Sequence, residues 1–181
     1  MKISEPKIKR MILFFATYTD PKLLGKTKLM KLFYFTDFRH VKKYLTPVTY
    51  DTYVNLEHGP VPSTIMNLVT TVENEIDNSI LGDVVAIAQN DESKRKRIVA
   101  RRKFNEERDS KYFTKSELAV MNEVCEIFKN STGKQIEDAS HSEAAWLNTK
   151  FGETIPYSLA ANDPDSSVEK DDVEKAIRLT Q

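Results

Sequence analysis

The chain has 181 residues, of which 40% are hydrophobic and 30% charged, and its basic and acidic side chains are equal in number. This composition is typical of one globular domain with a core of its own and excludes a disordered or fibrous protein. With no apolar run of 18 residues, no signal-peptide pattern and a single cysteine, we expect a cytoplasmic protein without membrane spans or internal disulfides.

The net charge of zero conceals an uneven distribution along the chain. Residues 1–50 carry 11 Lys and Arg against 3 Asp and Glu, whereas residues 104–181 carry 9 against 16. Such asymmetry can indicate a surface for a charged partner. The more ordinary interpretation is that the basic and acidic parts face each other within the fold or are solvated.

Two helices are predicted before residue 50. Apolar residues recur at helical spacing over residues 8–18 and from about 27 to 44, and a proline follows each segment. In the second helix, residues 28–37 (KLMKLFYFTD) are apolar at six of seven consecutive positions. A helix that is apolar all round belongs at the centre of a fold, so we expect this segment in the middle of the core.

Two regions predict β-structure. Residues 48–56 are rich in β-branched and aromatic side chains, so a short extended segment is expected before the Gly59-Pro60 turn. Residues 83–89 and 96–104 are strand-like and flank the polar segment 90–93, which predicts a β-hairpin with a strongly basic return strand.

The remaining segments predict further helices. Ser63 is a candidate N-cap, and Thr114 and Glu117 form a capping box before an apolar series. Short helices are expected through Ile136 and Trp146, and a C-terminal helix over about residues 167–179. The stripe of the helix after Ser63 consists of Ile65, Val69, Val72 and Ile76. We therefore predict a mainly α-helical α+β fold, a single compact helical domain over residues 1–181 with a small antiparallel β-sheet or hairpin.

No catalytic or metal centre is predicted. His40, His58 and His141 are far apart and lack the spacing of metal ligands, and Cys125 falls on the apolar stripe of a helix. No glycine-rich phosphate loop or nucleophile elbow is present. We therefore expect no metal and no cofactor, and nucleotide hydrolysis and esterase chemistry are disfavoured.

Residues 94–103 form the densest basic cluster, with seven Lys or Arg. On a two-stranded ribbon, alternate side chains share a face, so part of the cluster can follow a phosphate backbone or an acidic protein surface. A charged hairpin edge that resists aggregation is the more ordinary interpretation. Specific single-stranded nucleic-acid binding is weaker still, because no interleaved aromatic residues accompany the charges.

His141 and Trp146 form the other candidate site. They lie five positions apart on a predicted short helix, which can bring the imidazole and the indole together. Without an acid, a base or a nucleophile beside them, the favoured interpretation is a buried, hydrogen-bonded histidine packed near a tryptophan. Glu143 is expected to cap the helix or to pair locally.

Four strings share an order and a spacing: KLMKLFYFTDF from Lys28, EHGPVP from Glu57, DSKYFTKSE from Asp109 and SHSEAAW from Ser140. Together they resemble the Panacea domain, the SocA-like antitoxin family, over about residues 6–158. Ala145 stands where the family often has proline, which affects the local turn. The matched positions are Lys28, Leu29, Lys31, Leu32, Tyr34 and Phe35 in the helix, Gly59, Pro60 and Val61 in the loop, Asp109, Phe113, Thr114 and Glu117 in the cap, and Ser140, His141, Glu143 and Trp146 in the last helix.

The resemblance implies a non-enzymatic antitoxin of bacteria, their plasmids or their phages, which neutralises a cognate protein toxin by direct contact. Many related chains carry an added DNA-binding segment, and no helix-turn-helix signature for it is evident here. Neither a membrane nor a nucleic acid is the expected partner, and a homodimer is left open. Two alternatives remain: an adaptor that presents its partner to a protease, and a nucleic-acid binder using residues 94–103.

Where the partner binds is a hypothesis. We expect the Gly59-Pro60-Val61 loop and the exposed parts of the second helix to shape a groove for the partner, with aromatic or polar anchors beside it. The candidate contact residues are Tyr34, Tyr53, His58, Gly59, Pro60, Val61, His141 and Trp146.

Overall fold

The computed structural model describes residues 3–74, 79–89 and 95–180. It confirms the predicted class, a mainly α-helical α+β fold, with two small antiparallel two-stranded sheets in this part of the chain. In chain order the elements are α1 (Glu5–Tyr18), α2 (Lys26–Tyr44), β1 (Tyr53–Leu56), β2 (Gly59–Pro62), α3 (Ser63–Asn74), β3 (Val85–Gln89), β4 (Lys96–Ala100), α4 (Glu106–Asp109), α5 (Lys115–Phe128), α6 (Gly133–His141), α7 (Ala144–Leu147) and α8 (Lys170–Thr180), with 3-10 turns over Ser110–Tyr112 and Tyr157–Asn162.

Helix α2 is the centre of the molecule. Fourteen of its 19 residues are buried, including the whole of residues 28–37, which confirms the prediction for this segment. It packs against α5, α6, β2 and the second 3-10 turn. The helix ends where Leu45 adopts a left-handed conformation with φ 70°, and the Leu45 amide donates to the Val41 carbonyl at 3.0 Å.

A buried carboxylate joins α2 to β1. Asp37 accepts hydrogen bonds from the amides of Val48 and Thr49, at 2.8 Å each, and from the Tyr53 hydroxyl at 2.8 Å. Burial raises the pKa of Asp37 to about 6, against the opposing effect of these hydrogen bonds. Because the amides of Val48 and Thr49 point at Asp37, the strand begins only at Tyr53, later than the extended segment expected from residue 48.

The strands β1 and β2 form a tight hairpin. Tyr53 pairs with Pro62 and Leu56 with Gly59. The backbone of residues 152–155 runs along the other edge of β1, where the Ile155 amide donates to the Tyr53 carbonyl at 2.8 Å. This arrangement holds the segment after α7 against the hairpin.

The predicted basic hairpin is confirmed as β3 and β4, which pair from Val85 with Ala100 to Gln89 with Lys96. Strand β4 ends at Ala100, earlier than expected, since Arg102 turns away to form two hydrogen bonds with the buried Asp109, at 2.6 and 2.9 Å. The connecting residues 90–94 and Ile76 of the expected stripe lie outside the described residues.

The caps agree in part with the sequence. The capping box of Thr114 and Glu117 is present at the start of α5. Helix α3 begins at Ser63 itself, and the amides of Thr64 and Ile65 donate to the distant Asp51 carboxylate at 3.0 and 2.9 Å. The sequence predicts Ser63 as the N-cap. A capping carboxylate from a residue as distant as Asp51 leaves no pattern in the neighbouring sequence.

Candidate functional site

Three of the four strings meet at Gly59. This residue opens β2 with φ +84°, and a Cβ built on it would lie 2.6 Å from Ser140 Oγ, 3.0 Å from His141 Nε2 and 3.0 Å from Lys31 Nζ. We call Lys31, Gly59, Ser140 and His141 the Gly59 cluster. Only glycine gives both the left-handed backbone and the space that this close approach needs.

Lys31 is the buried cation of the Gly59 cluster. Its side chain is 1% exposed, and Nζ donates to the Pro60 carbonyl at 2.7 Å. Burial lowers the pKa of Lys31 to about 7, although the charge of Glu137 opposes this effect. A substantial fraction of the amine is therefore neutral near neutral pH, and the hydrogen bond ties α2 to the loop in either protonation state.

The two histidines near the loop differ in exposure. The side chain of His58 is 72% exposed, and its Nδ1 lies 3.5 Å from Glu137 Oε2. The His141 ring stacks on the Trp146 indole with centroids 4.2 Å apart. Among the described residues, His141 Nε2 and Trp146 Nε1 are buried without a hydrogen-bond partner, so the expected contact of the two rings is present but the expected hydrogen bond to this nitrogen is not.

A depression of about 430 Å³ opens beside His58. It lies between the first turns of α2, the β1–β2 turn, α3 and the loop after α7. We call it the apolar groove, because carbon atoms make up most of its wall, and its lining includes Met30, Leu56, His58, Val61, Met66 and Phe151. Phe151 is 74% exposed and Leu56 37%, and exposed apolar side chains around a groove are typical of a protein contact surface.

The eight candidate contact residues divide between surface and core. His58 and Val61 line the apolar groove, and the Gly59–Pro60 backbone supports it from below. Tyr34 and Tyr53 are 0% and 1% exposed and pack against each other at 5.7 Å, so in this fold they have no surface for a partner. The partly buried His141 and Trp146 stand behind the loop. Phe151 and Leu56 are the exposed apolar groove residues that are absent from the candidates. Phe151 is a single apolar residue in a loop and carries no periodic signal, and Leu56 lies at the end of β1, where the strand pattern does not show which face a partner uses.

A second buried lysine fixes the segment that follows α6. Lys42 Nζ lies 2.7 Å from Glu143, 3.1 Å from Asp163 and 2.9 Å from Asp165. Its pKa is raised, because these carboxylates outweigh the opposing effect of burial. Glu143 occupies the N-cap position of α7, but its side chain makes no cap hydrogen bond and pairs with Lys42, 101 residues away in sequence, and not locally.

The basic cluster of the β3–β4 hairpin is largely used within the fold. Arg97 Nε donates to the Lys22 carbonyl at 2.5 Å, Arg101 Nε to the Gly82 carbonyl at 2.7 Å, and Arg102 binds Asp109. These contacts indicate that the three arginines stabilise the fold, and they do not favour a continuous basic strip that binds a phosphate backbone. Lys94, the first residue of the cluster, lies outside the described residues.

The described residues offer little for catalysis. No group of three or more His, Cys, Asp or Glu side chains in this part of the chain is arranged to hold a metal ion. Burial raises the pKa of the Cys125 thiol to about 12, so the thiol stays protonated and packs as an apolar side chain. In the described ranges, no helix combines the length and the apolar character that crossing a membrane requires.

One comparison with known proteins gives a match. The model of a family described as "Antitoxin SocA-like, Panacea domain" matches residues 29–147, which is more than half of the chain. No match was found among curated proteins or among solved structures. The matched residues run from α2 to α7, so they contain the whole Gly59 cluster and most of the apolar groove.

Proposed function

Because the chain belongs to the family of SocA-like antitoxins with a Panacea domain, we propose that it is the antitoxin of a toxin–antitoxin pair. In this role it binds a cognate protein toxin directly and blocks its activity. The family match is the observation that carries the proposal. An inhibitor of this kind needs a rigid surface and no catalytic residues, which agrees with a buried central helix and with a buried lysine, Lys31, that fixes the loop through the Pro60 carbonyl.

We place the toxin contact at the apolar groove. The groove offers an exposed aromatic side chain, Phe151, beside Leu56 and the exposed His58. Buried aromatic anchors surrounded by a polar rim carry most of the free energy in protein interfaces. The Gly59 cluster supports this surface from behind, since Lys31 holds the Pro60 carbonyl and Gly59 lies against α6. The occupant that this surface fits is an apolar side chain of the toxin.

Two substitutions test the site in cells and in vitro. The partner is the product of the neighbouring gene, provided that its expression arrests growth when this chain is absent. Phe151→Asp is expected to abolish growth rescue and to weaken the complex at least about 30-fold, the effect of losing a central aromatic anchor. Leu179→Asp is the matched control, because Leu179 is 87% exposed on α8 and lies outside the groove.

The results distinguish an error in the proposed contact surface from an error in the proposed antitoxin role. If Phe151→Asp and Leu56→Asp both keep full rescue and an unchanged melting temperature, the groove is not the contact surface. If the chain lies in an unrelated metabolic operon and no neighbouring product arrests growth, the antitoxin role itself is contradicted. The toxin's lifetime in cells separates inhibition, which leaves it unchanged, from an adaptor role, which shortens it.

A further inference from the structure

A second depression, of about 610 Å³, shares Lys26 and Thr27 with the apolar groove and opens on the side of β4. Among the described residues its lining contains six cations and no Asp or Glu. We call it the basic cleft, and its cations are Lys26, Lys28, Arg95, Lys96, Arg97 and Lys134. A concave wall with charges of one sign concentrates the electrostatic field and attracts counter-ions.

Two helices begin at the basic cleft. Gly25, the N-cap of α2, provides no side-chain cap, so the first amides of α2 have no acceptor within the helix. The capping box of α6 uses the amides of Thr132 and Gln135 and leaves those of Gly133 and Lys134. A Cβ on Gly133 would lie 3.8 Å from Thr27 Cβ, so the two helix ends are adjacent. Each end adds about half a positive charge to the cleft.

The surroundings of Lys28 are the strongest indication that the cleft binds an anion. Its side chain is 0% exposed, and Nζ donates to the Lys129 carbonyl at 2.9 Å, but no carboxylate of the described residues lies within ion-pair distance. Burial lowers its pKa, although the charge of Asp20 opposes this effect. Of the other two buried lysines of the same helix, Lys42 is surrounded by three carboxylates, and Lys31, like Lys28, donates to a backbone carbonyl. A buried ammonium without a counter-ion is costly, and an anion in the cleft removes that cost.

Two of the cations form ion pairs, which offset only part of their contribution to the positive potential in the cleft. Lys26 pairs with Glu73 at 2.5 Å and Lys134 with Asp138 at 2.7 Å. Both pairs are partly or fully exposed to solvent, and the side chains of both lysines still line the cleft. Lys28, Lys96 and the two helix ends leave the cleft with an excess of positive charge.

We propose that the basic cleft binds a compact oligophosphate, either as an inorganic chain or as the phosphate tail of a nucleotide. Backbone amides at helix N-termini together with lysines are the groups that recognise phosphate oxygens. The volume falls in the range of small-ligand sites, and the cleft is a concave pocket, not the extended strip that a nucleic acid needs. The toxin contact is argued from Phe151, Leu56 and His58, none of which lines the cleft, so either proposal can fail without the other.

Calorimetry and thermal unfolding of the full chain test the proposal with tripolyphosphate and ATP as probes. Both are expected to bind and to raise the melting temperature. The double substitution Lys96→Gln and Lys134→Gln, at exposed positions, is expected to weaken binding about tenfold, the loss of two charge-assisted phosphate contacts. The matched control, Lys111→Gln with Lys115→Gln, removes the same charge at the start of α5 and in the 3-10 turn before it, and is expected to change affinity less than about twofold.

Lys28→Met is a second variant. If it folds, it is expected to abolish binding of both probes. If it does not fold, the double variant Lys96→Gln with Lys134→Gln tests the proposal. Tighter binding of ATP than of tripolyphosphate identifies a nucleotide site, and equal binding shows that the phosphate chain alone is recognised. The proposal is overturned if about 1 mM of either probe gives neither heat nor a shift, or if the control pair weakens binding as much as the cleft pair. A short single-stranded RNA that binds far more tightly than both probes overturns it in favour of nucleic acid.

Discussion

Replacing Lys31 with Met probes the electrostatics behind the Gly59–Pro60 loop. The methionine keeps the length of the apolar stem and removes the amine that donates to the Pro60 carbonyl at 2.7 Å. In the folded protein the pKa of Lys31 is about 7, against 10.5 for an exposed lysine, because the side chain is buried. The unfolded chain therefore binds more protons than the native one between these two values.

The sign and size of the effect follow from this difference. Where the unfolded state binds more protons, the free energy of unfolding increases with pH, by up to about 1.4 kcal/mol per pH unit for one group. With a folded pKa of about 7 and an unfolded one of 10.5, Lys31 makes the wild type gain about 2 kcal/mol relative to Lys31→Met between pH 7 and pH 9. Most other titrating groups are common to both proteins and cancel in the comparison.

Urea unfolding at several pH values between about 6 and 9 measures this difference directly. Lys111→Met is the control for the loss of one lysine, because Lys111 is exposed. A difference between wild type and Lys31→Met that stays constant within about 0.5 kcal/mol would refute the reasoning, because it would mean that Lys31 keeps its ordinary pKa in the fold.

Four further predictions concern stability and reactivity. Gly59→Ala is expected to lower the free energy of unfolding by about 3 kcal/mol in urea titrations, since a Cβ would lie 2.6 Å from Ser140 Oγ at a left-handed φ. Lys42→Met leaves Glu143 and its neighbouring carboxylates uncompensated, so a loss of about 3 kcal/mol and faster proteolysis near residues 163–168 are expected. Thr114→Ala removes the cap of α5 and is expected to cost about 1 kcal/mol by thermal unfolding. Cys125 is expected to resist a thiol reagent in the native state and to react after unfolding, because its buried thiol has a pKa of about 12.

The elements that sequence reasoning predicted well are those with strong local patterns. Residues 28–37 are apolar on every face, and only a buried central helix satisfies that pattern. The capping box at Thr114 and the β3–β4 hairpin also depend on neighbouring residues. The start of β1 was predicted too early because the amides of Val48 and Thr49 are taken by Asp37, a contact that no local pattern encodes.

From the sequence, the candidate site was predictable only as four short segments, without their arrangement in space. Their order indicated the family and placed the loop at Gly59–Pro60, but it did not reveal that Gly59 contacts residues 28 and 81 positions away in sequence. The candidate contact residues Tyr34 and Tyr53 are both buried, because the sequence pattern of an aromatic residue is the same whether it packs in a core or in an interface. Phe151 is the exposed aromatic at the groove, and tertiary structure alone identifies it.

Ion pairs within the fold explain part of the uneven charge distribution along the chain. Five cations of the first 50 residues pair with carboxylates of residues 104–181, which confirms that the basic and acidic parts face each other: Lys7, Arg10, Arg39, Lys42 and Lys43. This internal pairing neutralises most of the basic excess around α1 and the C-terminal half of α2. It does not extend to the start of α2, where Lys28 lies buried with a carbonyl and no carboxylate among the described residues. Of the three buried lysines of α2, Lys42 is paired with three carboxylates, whereas Lys28 and Lys31 each donate to a backbone carbonyl. Lys28 alone of these lines the basic cleft beside two helix N-termini, and an anion from outside the chain is the counter-charge that we propose for it.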